Sequence, residues 1–289
     1  MASWSDGYWQ SGDGLRLHYR DYPGDPERLP ILCIPGLTRN ARDFEGVAAR
    51  LAGDRRVICV ELRGRGESAY ARDAMTYVPT TYLGDLERLL RELALKRVIL
   101  FGTSLGGLMT MLLSMNHAHL IAGALINDIG PVLESRGLDH IRSYVGRPQN
   151  WPTWLHAARF IAEAQRERYP DWGLDDWVTY AKRLCRLTPG GRIVYDYDMR
   201  IAEPFRQPGG EVDFDLWTAF AGLRGIPSLV VRGELSDLLS PATVERMLAE
   251  NPAMQAVTVP RVGHAPTLDE PEAVAAIDRL LKRIDSKRR

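Results

Sequence analysis

The chain predicts an α/β fold, a mostly parallel central sheet covered by helices, with a helical insertion after its middle strands. Three observations carry this. Short apolar runs alternate with helix-like runs over most of the length. Gly102-Thr103-Ser104-Leu105-Gly106 ends one apolar run and begins another. From Pro131 to about Asp215 the strand rhythm stops. At 289 residues with 45% hydrophobic composition, the chain can bury a large core.

In order along the chain, Leu15–Tyr22 reads as a hairpin partner of the segment around Tyr8-Trp9. Pro30–Ile34 and Arg56–Leu62 are short buried strands, followed by a helix across Tyr82–Leu95. Arg97–Phe101 is a further strand, and the apolar run from Leu108 to Leu113 starts a core-facing helix. Ile121–Ile126 is a strand ending in Asn127-Asp128-Ile129-Gly130-Pro131. The next stretch has no convincing strand and is dense in Trp, Tyr, Arg and Pro, with Trp151, Trp154, Trp172, Trp177 and Trp217 in or just beyond it. It is too long and too aromatic for a structureless loop, so a mostly helical cap is expected. Ile226–Arg232 and Gln255–Val259 resume the strand rhythm, and Glu272–Ile284 is the last helix. The expected division is a core of 1–130 and 216–289 with a cap of 131–215.

Charge and composition narrow the partners. Lys and Arg number 37 against 37 Asp and Glu, so no global field draws the chain to nucleic acid or an anionic membrane. A small-molecule partner is expected, and no pattern specifies an oligomeric state. Met1–Gly14 lacks a basic segment followed by an apolar one, so neither a signal peptide nor a membrane span is expected and a cytoplasmic location is. The basic tail from Lys282 to Arg289 reads as a solvated helix end. Cys33 and Cys59 fall inside predicted strands, and with Cys185 they suggest no disulfide framework. No His-Glu-x-x-His, zinc spacing or glycine-rich phosphate loop is present, so no cofactor or metal is expected.

The chemistry concentrates at Ser104. A Gly-x-Ser-x-Gly on a strand-to-helix turn is a nucleophile elbow, tight enough to need almost no side chain two residues either side of the serine. The helix N-terminus behind it favours developing negative charge. A serine hydroxyl needs a base within hydrogen-bond reach and a group that orients the base. Among six histidines, His264 stands on a loop after a late strand, between Gly263 and Ala265. His18, His117, His119, His140 and His156 have surface, capping or pocket-lining roles available. Two aspartates can orient the base. Asp237, after the penultimate strand, is chosen; Asp128, after the preceding strand, is the alternative, with a turn or a supplementary hydrogen bond as its other roles. The backbone N–H groups of Leu105 and Leu37 are expected to hold the oxyanion, Gly36 permitting the turn. Arg39, Asn40, Asp128, Trp151 and Trp154 are candidate pocket-lining residues, with turn, surface and packing roles as the plainer readings.

Together the Pro35-Gly36 turn, Arg63-Gly64-Arg65-Gly66-Glu67-Ser68, the elbow and the His264 loop resemble an α/β-hydrolase fold enzyme with a lid, over nearly the whole length. The resemblance implies that the Arg-Gly-x-Gly-x-Ser segment is structural. Pro35-Gly36 stands where members often carry His-Gly, which alters how the oxyanion loop is braced. Ser104, where dehalogenases and epoxide hydrolases of this fold use Asp, makes those activities unexpected. The implied function is a serine carboxylesterase for short to medium or aromatic acyl groups. Carbon–carbon hydrolysis of ring-cleavage products, lactone hydrolysis and a small-molecule receptor of the same fold are the alternatives.

Overall fold

The computed structural model describes residues 3–206 and 215–287. The chain begins with an antiparallel hairpin, β1 (Ser5–Gln10) on β2 (Arg16–Tyr22), in a register that sets Tyr8 opposite His18. It continues through β3 (Ile31–Ile34), α1 (Glu45–Leu51), β4 (Val57–Glu61), α2 (Pro79–Glu92), β5 (Val98–Thr103), α3 (Leu105–His117) and β6 (Ile121–Asn127). After the insertion come α8 (Leu216–Ala221), β10 (Ser228–Gly233), α9 (Pro241–Glu250), β11 (Met254–Val259) and α10 (Pro271–Ser286). The insertion holds α4 (Ser135–Tyr144), β7 (Asn150–Trp151), α5 (Trp154–Gln165), α6 (Leu174–Leu184), β8 (Cys185–Leu187), β9 (Ile193–Tyr195) and α7 (Glu203–Arg206).

The main sheet has eight strands in the order β1-β2-β4-β3-β5-β6-β10-β11. From β4 to β11 all pairings are parallel, and only the β1–β2 hairpin, joined to β4, runs antiparallel. Parallel strands covered on both faces must be apolar on both faces, which is why β3, β4 and β6 are buried along their entire length. Alternate residues of β3 serve opposite layers. Leu32 and Ile34 join the cluster that includes α2 and α3, whereas Ile31 and Cys33 join the one that includes α1 and α10. Cys33 lies opposite Cys59 across the β3–β4 pair, and both are free, buried thiols.

The insertion departs from expectation. Its β7, β8 and β9 form a three-stranded antiparallel sheet in the order β7-β9-β8, where no strand is predicted. Strands of two or three residues are too short to show a period of two. A turn marked their presence: Thr188 bonds back to Arg192, and Gly191 sits at φ 75°. Helices α1 and α9 also went unpredicted. Residues 207–214 of the predicted cap lie outside the described residues. No described helix is long and apolar enough to cross a membrane.

Several buried charges fasten the sheet edge to the loops above it. Arg63 makes paired bonds to Asp85 and to Asp13, and lowers the Asp13 carboxyl to about 2. His18, on β2, places Nδ1 2.9 Å from Glu61 and Nε2 3.0 Å from Asp6. Burial opposes its charge, but these two carboxylates outweigh burial and raise its pKa above 6.5. A raised folded-state pKa contributes stability that is complete below the unfolded value and is lost as pH rises through the folded one. We therefore expect the melting-temperature advantage of wild type over His18→Gln to be largest near pH 5.5 and to shrink by pH 9. A gap independent of pH would show that His18 is held neutral.

Candidate active site

The elbow forms because three chain segments approach at backbone distance. A Cβ at Gly102 would stand 2.2 Å from the Gly106 carbonyl oxygen, and one at Gly106 would stand 1.8 Å from the Ile34 oxygen. Only glycine fits at either position. Between them Ser104 adopts φ 52°, ψ −116°, a conformation that costs energy and that the surrounding packing imposes. Its N–H donates to the Asn127 carbonyl at 2.9 Å, which ties the turn to the end of β6.

Ser104 Oγ lies 2.9 Å from His264 Nε2, and His264 Nδ1 lies 2.8 Å from Asp128 Oδ2. A carboxylate can only accept, so the imidazole proton resides on Nδ1 and the Nε2 lone pair faces the serine hydroxyl. Asp128 is wholly buried, at φ 56°, and accepts two further bonds: Oδ1 from the Gly233 N–H at 2.8 Å and Oδ2 from the Ser236 hydroxyl at 2.7 Å. Gly233 also lets the His264 loop pack closely, since a Cβ there would meet the Val262 oxygen at 2.4 Å.

The carboxylate bonded to His264 is thus that of Asp128, and not that of Asp237, which the sequence reading chose. Asp237 does not reach His264 and is ion-paired with Arg168 of the insertion. Both aspartates follow adjacent parallel strands, but Asp128 comes immediately after its strand and beneath the histidine. Asp237 is four residues past its strand, beyond the turn that Ser236 makes.

The loop carrying the Leu37 N–H is braced from below. Arg65, fully buried, donates through Nε to the Leu37 carbonyl at 2.8 Å and through Nη1 to the Arg63 carbonyl at 2.6 Å. Glu61 accepts from the Ala41 N–H at 3.2 Å and from the Glu67 N–H at 2.6 Å. The Arg-Gly-Arg-Gly turn thus supplies the support beneath Pro35-Gly36. Leu105 begins α3, so its N–H is one of the helix's unsatisfied donors.

Above Ser104 lies a cavity of about 360 Å³. Its floor is Gly36, Leu37, Ser104 and His264, and its roof comes from the insertion, chiefly Ile141, Tyr144, Phe160, Tyr180 and Tyr195. Arg39 lines it; Asn40 and Asp128 do not. Asn40 is buried as the cap of a short helical turn, accepting from the Arg42 N–H and donating to the Arg183 carbonyl. Trp151 and Trp154 are also absent from the walls. Trp151 is buried between Phe160 and Tyr195, at ring distances of 5.3 and 5.2 Å, and Trp154 packs behind. Phenols, not indoles, face the cavity. His140 is the histidine of the insertion that lines it, and burial together with Arg168 lowers its pKa, which keeps the imidazole neutral.

Two insertion residues grip the His264 loop on either side. The Gly263 N–H donates to the Arg168 carbonyl at 2.7 Å, and the Tyr169 hydroxyl donates to the Ala265 carbonyl at 3.0 Å. No local sequence signal marks Arg168 or Tyr169 for this role.

Residues 31–277 match the profile of the alpha/beta hydrolase family. The chain is an alpha/beta hydrolase. The 3-hydroxybutyrate-oligomer hydrolase of Cupriavidus necator is similar to this hydrolase at 36% identity over 269 residues, 90% of either chain. An alpha/beta hydrolase from Novosphingobium aromaticivorans superposes on it with TM-score 0.94 at 55% identity, over 98% of this chain and 99% of its own. The structure of E-2-(acetamidomethylene)succinate hydrolase superposes with TM-score 0.80 at 26% identity, covering 97% of this chain and 100% of that one.

Three substitutions test the hydrolase's site. Asp128→Asn should lower kcat about 10⁴-fold, as loss of the orienting carboxylate does in serine triads, whereas Asp237→Asn should keep turnover within about tenfold. The reverse order would return the role to Asp237. Gly106→Ala should cost roughly 4 kcal/mol or more in urea unfolding, because the added methyl collides with backbone on β3.

Proposed function

We propose that this hydrolase cleaves carboxylic esters of short to medium acyl chains through an acyl-enzyme formed on Ser104. The observation that carries this reading is the hydrogen-bonded line from Ser104 through His264 to Asp128, opening into a largely apolar cavity. Ser104 Oγ attacks the ester carbonyl while His264 Nε2 takes the hydroxyl proton. Asp128 holds the imidazole in the required tautomer and balances the imidazolium that forms. The N–H groups of Leu37 and Leu105 receive the developing oxyanion. Collapse of the intermediate expels the alkoxide, which takes the proton from His264. Water, deprotonated by the same nitrogen, then attacks the acyl-serine and releases the acid.

The insertion acts as a cap in this reading, since it supplies the roof of the cavity and so sets acyl length. The Cupriavidus necator relative is named for oligomers of 3-hydroxybutyrate, which are linear esters of a short hydroxy acid. Esters of that class suit a cavity of about 360 Å³ with phenols spaced among aliphatic walls.

The test is a nitrophenyl ester series from acetate to decanoate. Turnover should be highest among the short and medium chains and fall toward decanoate. Ser104→Ala should lower kcat by about 10⁴-fold or more while leaving the melting temperature unchanged. A folded wild type inert toward every ester would favour carbon–carbon hydrolysis or a receptor role instead.

A further inference from the structure

The charge in the cavity wall is lopsided. Arg39, Arg147 and Arg183 line it, and Asp43 is the single carboxylate among the lining residues. Arg183 pairs outside the wall, with Asp269. Arg39 binds both oxygens of Asp43 through Nε and Nη2, each at 2.6 Å, which leaves Nη1 without a partner among the described residues. The guanidinium lies over the Tyr180 ring at 4.6 Å. Burial alone would weaken its charge, but Asp43 and Tyr180 outweigh burial and its pKa is raised. Arg147 stands at the exposed rim with no ion pair among the described residues.

The stem of Arg39 reaches the reacting centre. A Cβ on Gly36 would touch both Arg39 Cγ, at 3.2 Å, and Ser104 Cβ, at 3.6 Å. A locked guanidinium with one open edge is a preorganised receptor for an oxygen pair, because its direction is fixed before substrate arrives. Resting on the ester-hydrolase reading, we propose that the substrate carries a free carboxylate, bound by the open edge of Arg39 with Arg147 at the rim. The scissile ester then lies one short acyl unit from that carboxylate, as at the carboxyl end of an oligoester. Cleavage adds water across that ester and releases a small hydroxy acid from the carboxyl end.

The experiment compares the linear dimer of 3-hydroxybutyric acid with the same dimer carrying a carboxamide in place of its carboxylate. For wild type, kcat/KM should favour the free acid by about tenfold to a hundredfold, the range of a charge-assisted hydrogen bond. The preference should decline with added salt. Arg147→Gln should reduce it several-fold. Arg39→Gln should bring the two substrates close to parity, and Arg39→Lys should restore part of the difference. Equal cleavage of both dimers by wild type would overturn the carboxylate subsite and leave the ester reading standing. A preference that survives in Arg39→Gln and Arg147→Gln would overturn the assignment to these arginines. Failure of wild type to cleave either dimer or any nitrophenyl ester would remove the ester reading, and this inference with it.

Discussion

The structure depends on one close approach, where the backbone of α3 crosses the ends of β5 and β3 with no side chain between. Gly102 and Gly106 leave no room for a methyl group, so the turn between them cannot relax. Ser104 is held in a rare conformation by contacts that belong to the sheet and the helix rather than to the site. The consequence runs outward. The Ser104 N–H bonds to the last residue of β6, and the next residue of that chain is Asp128. Asn127 in turn donates through its side chain to Thr103 and to the Pro266 carbonyl, beside the His264 loop. The serine, the carboxylate and the histidine are thus registered against each other by strand pairing.

Much of this was legible in the sequence. The elbow, the Pro35-Gly36 turn and the histidine loop each follow a buried strand, and continuous apolar runs announce such strands clearly. Which aspartate meets the histidine was less legible, because adjacent parallel strands end at the same edge of the sheet. Each is followed by an aspartate, and the local pattern cannot say which one the histidine faces. Distance along the loop decided it, together with Arg168, a residue of the insertion that occupies Asp237. The aromatic insertion misled in a similar way. Composition shows that rings pack there, but not which ones turn inward. Trp172 stacks on Tyr169 at 4.0 Å within the insertion, and the cavity is left to Phe160 and the phenols of Tyr144, Tyr180, Tyr195 and Tyr197.

The support beneath the Gly36-Leu37 loop shows how a polar core can serve precision. Arg55, Arg63 and Arg65 are all but inaccessible to solvent, an expensive state for a cation unless every donor is engaged. Arg65 goes part of the way, each of its three nitrogens donating once, to the carbonyls of Leu37 and Arg63 and to the Tyr82 hydroxyl. A guanidinium spans these three acceptors in a fixed plane, which an ammonium could not. The loop that lacks the common His-Gly pair is therefore held by its carbonyl side.

The grip of Arg168 and Tyr169 on Gly263 and Ala265 makes the histidine's place a joint property of the main sheet and the insertion. Nothing in β11 or α10 alone positions the imidazole from both sides. A chain whose insertion has come away from the sheet has lost both bonds that flank the imidazole, whatever becomes of the sheet itself. Homologous exchange is constrained in the same way. An insertion transplanted from a relative brings new cavity walls, and it must also bring residues that hold the histidine loop.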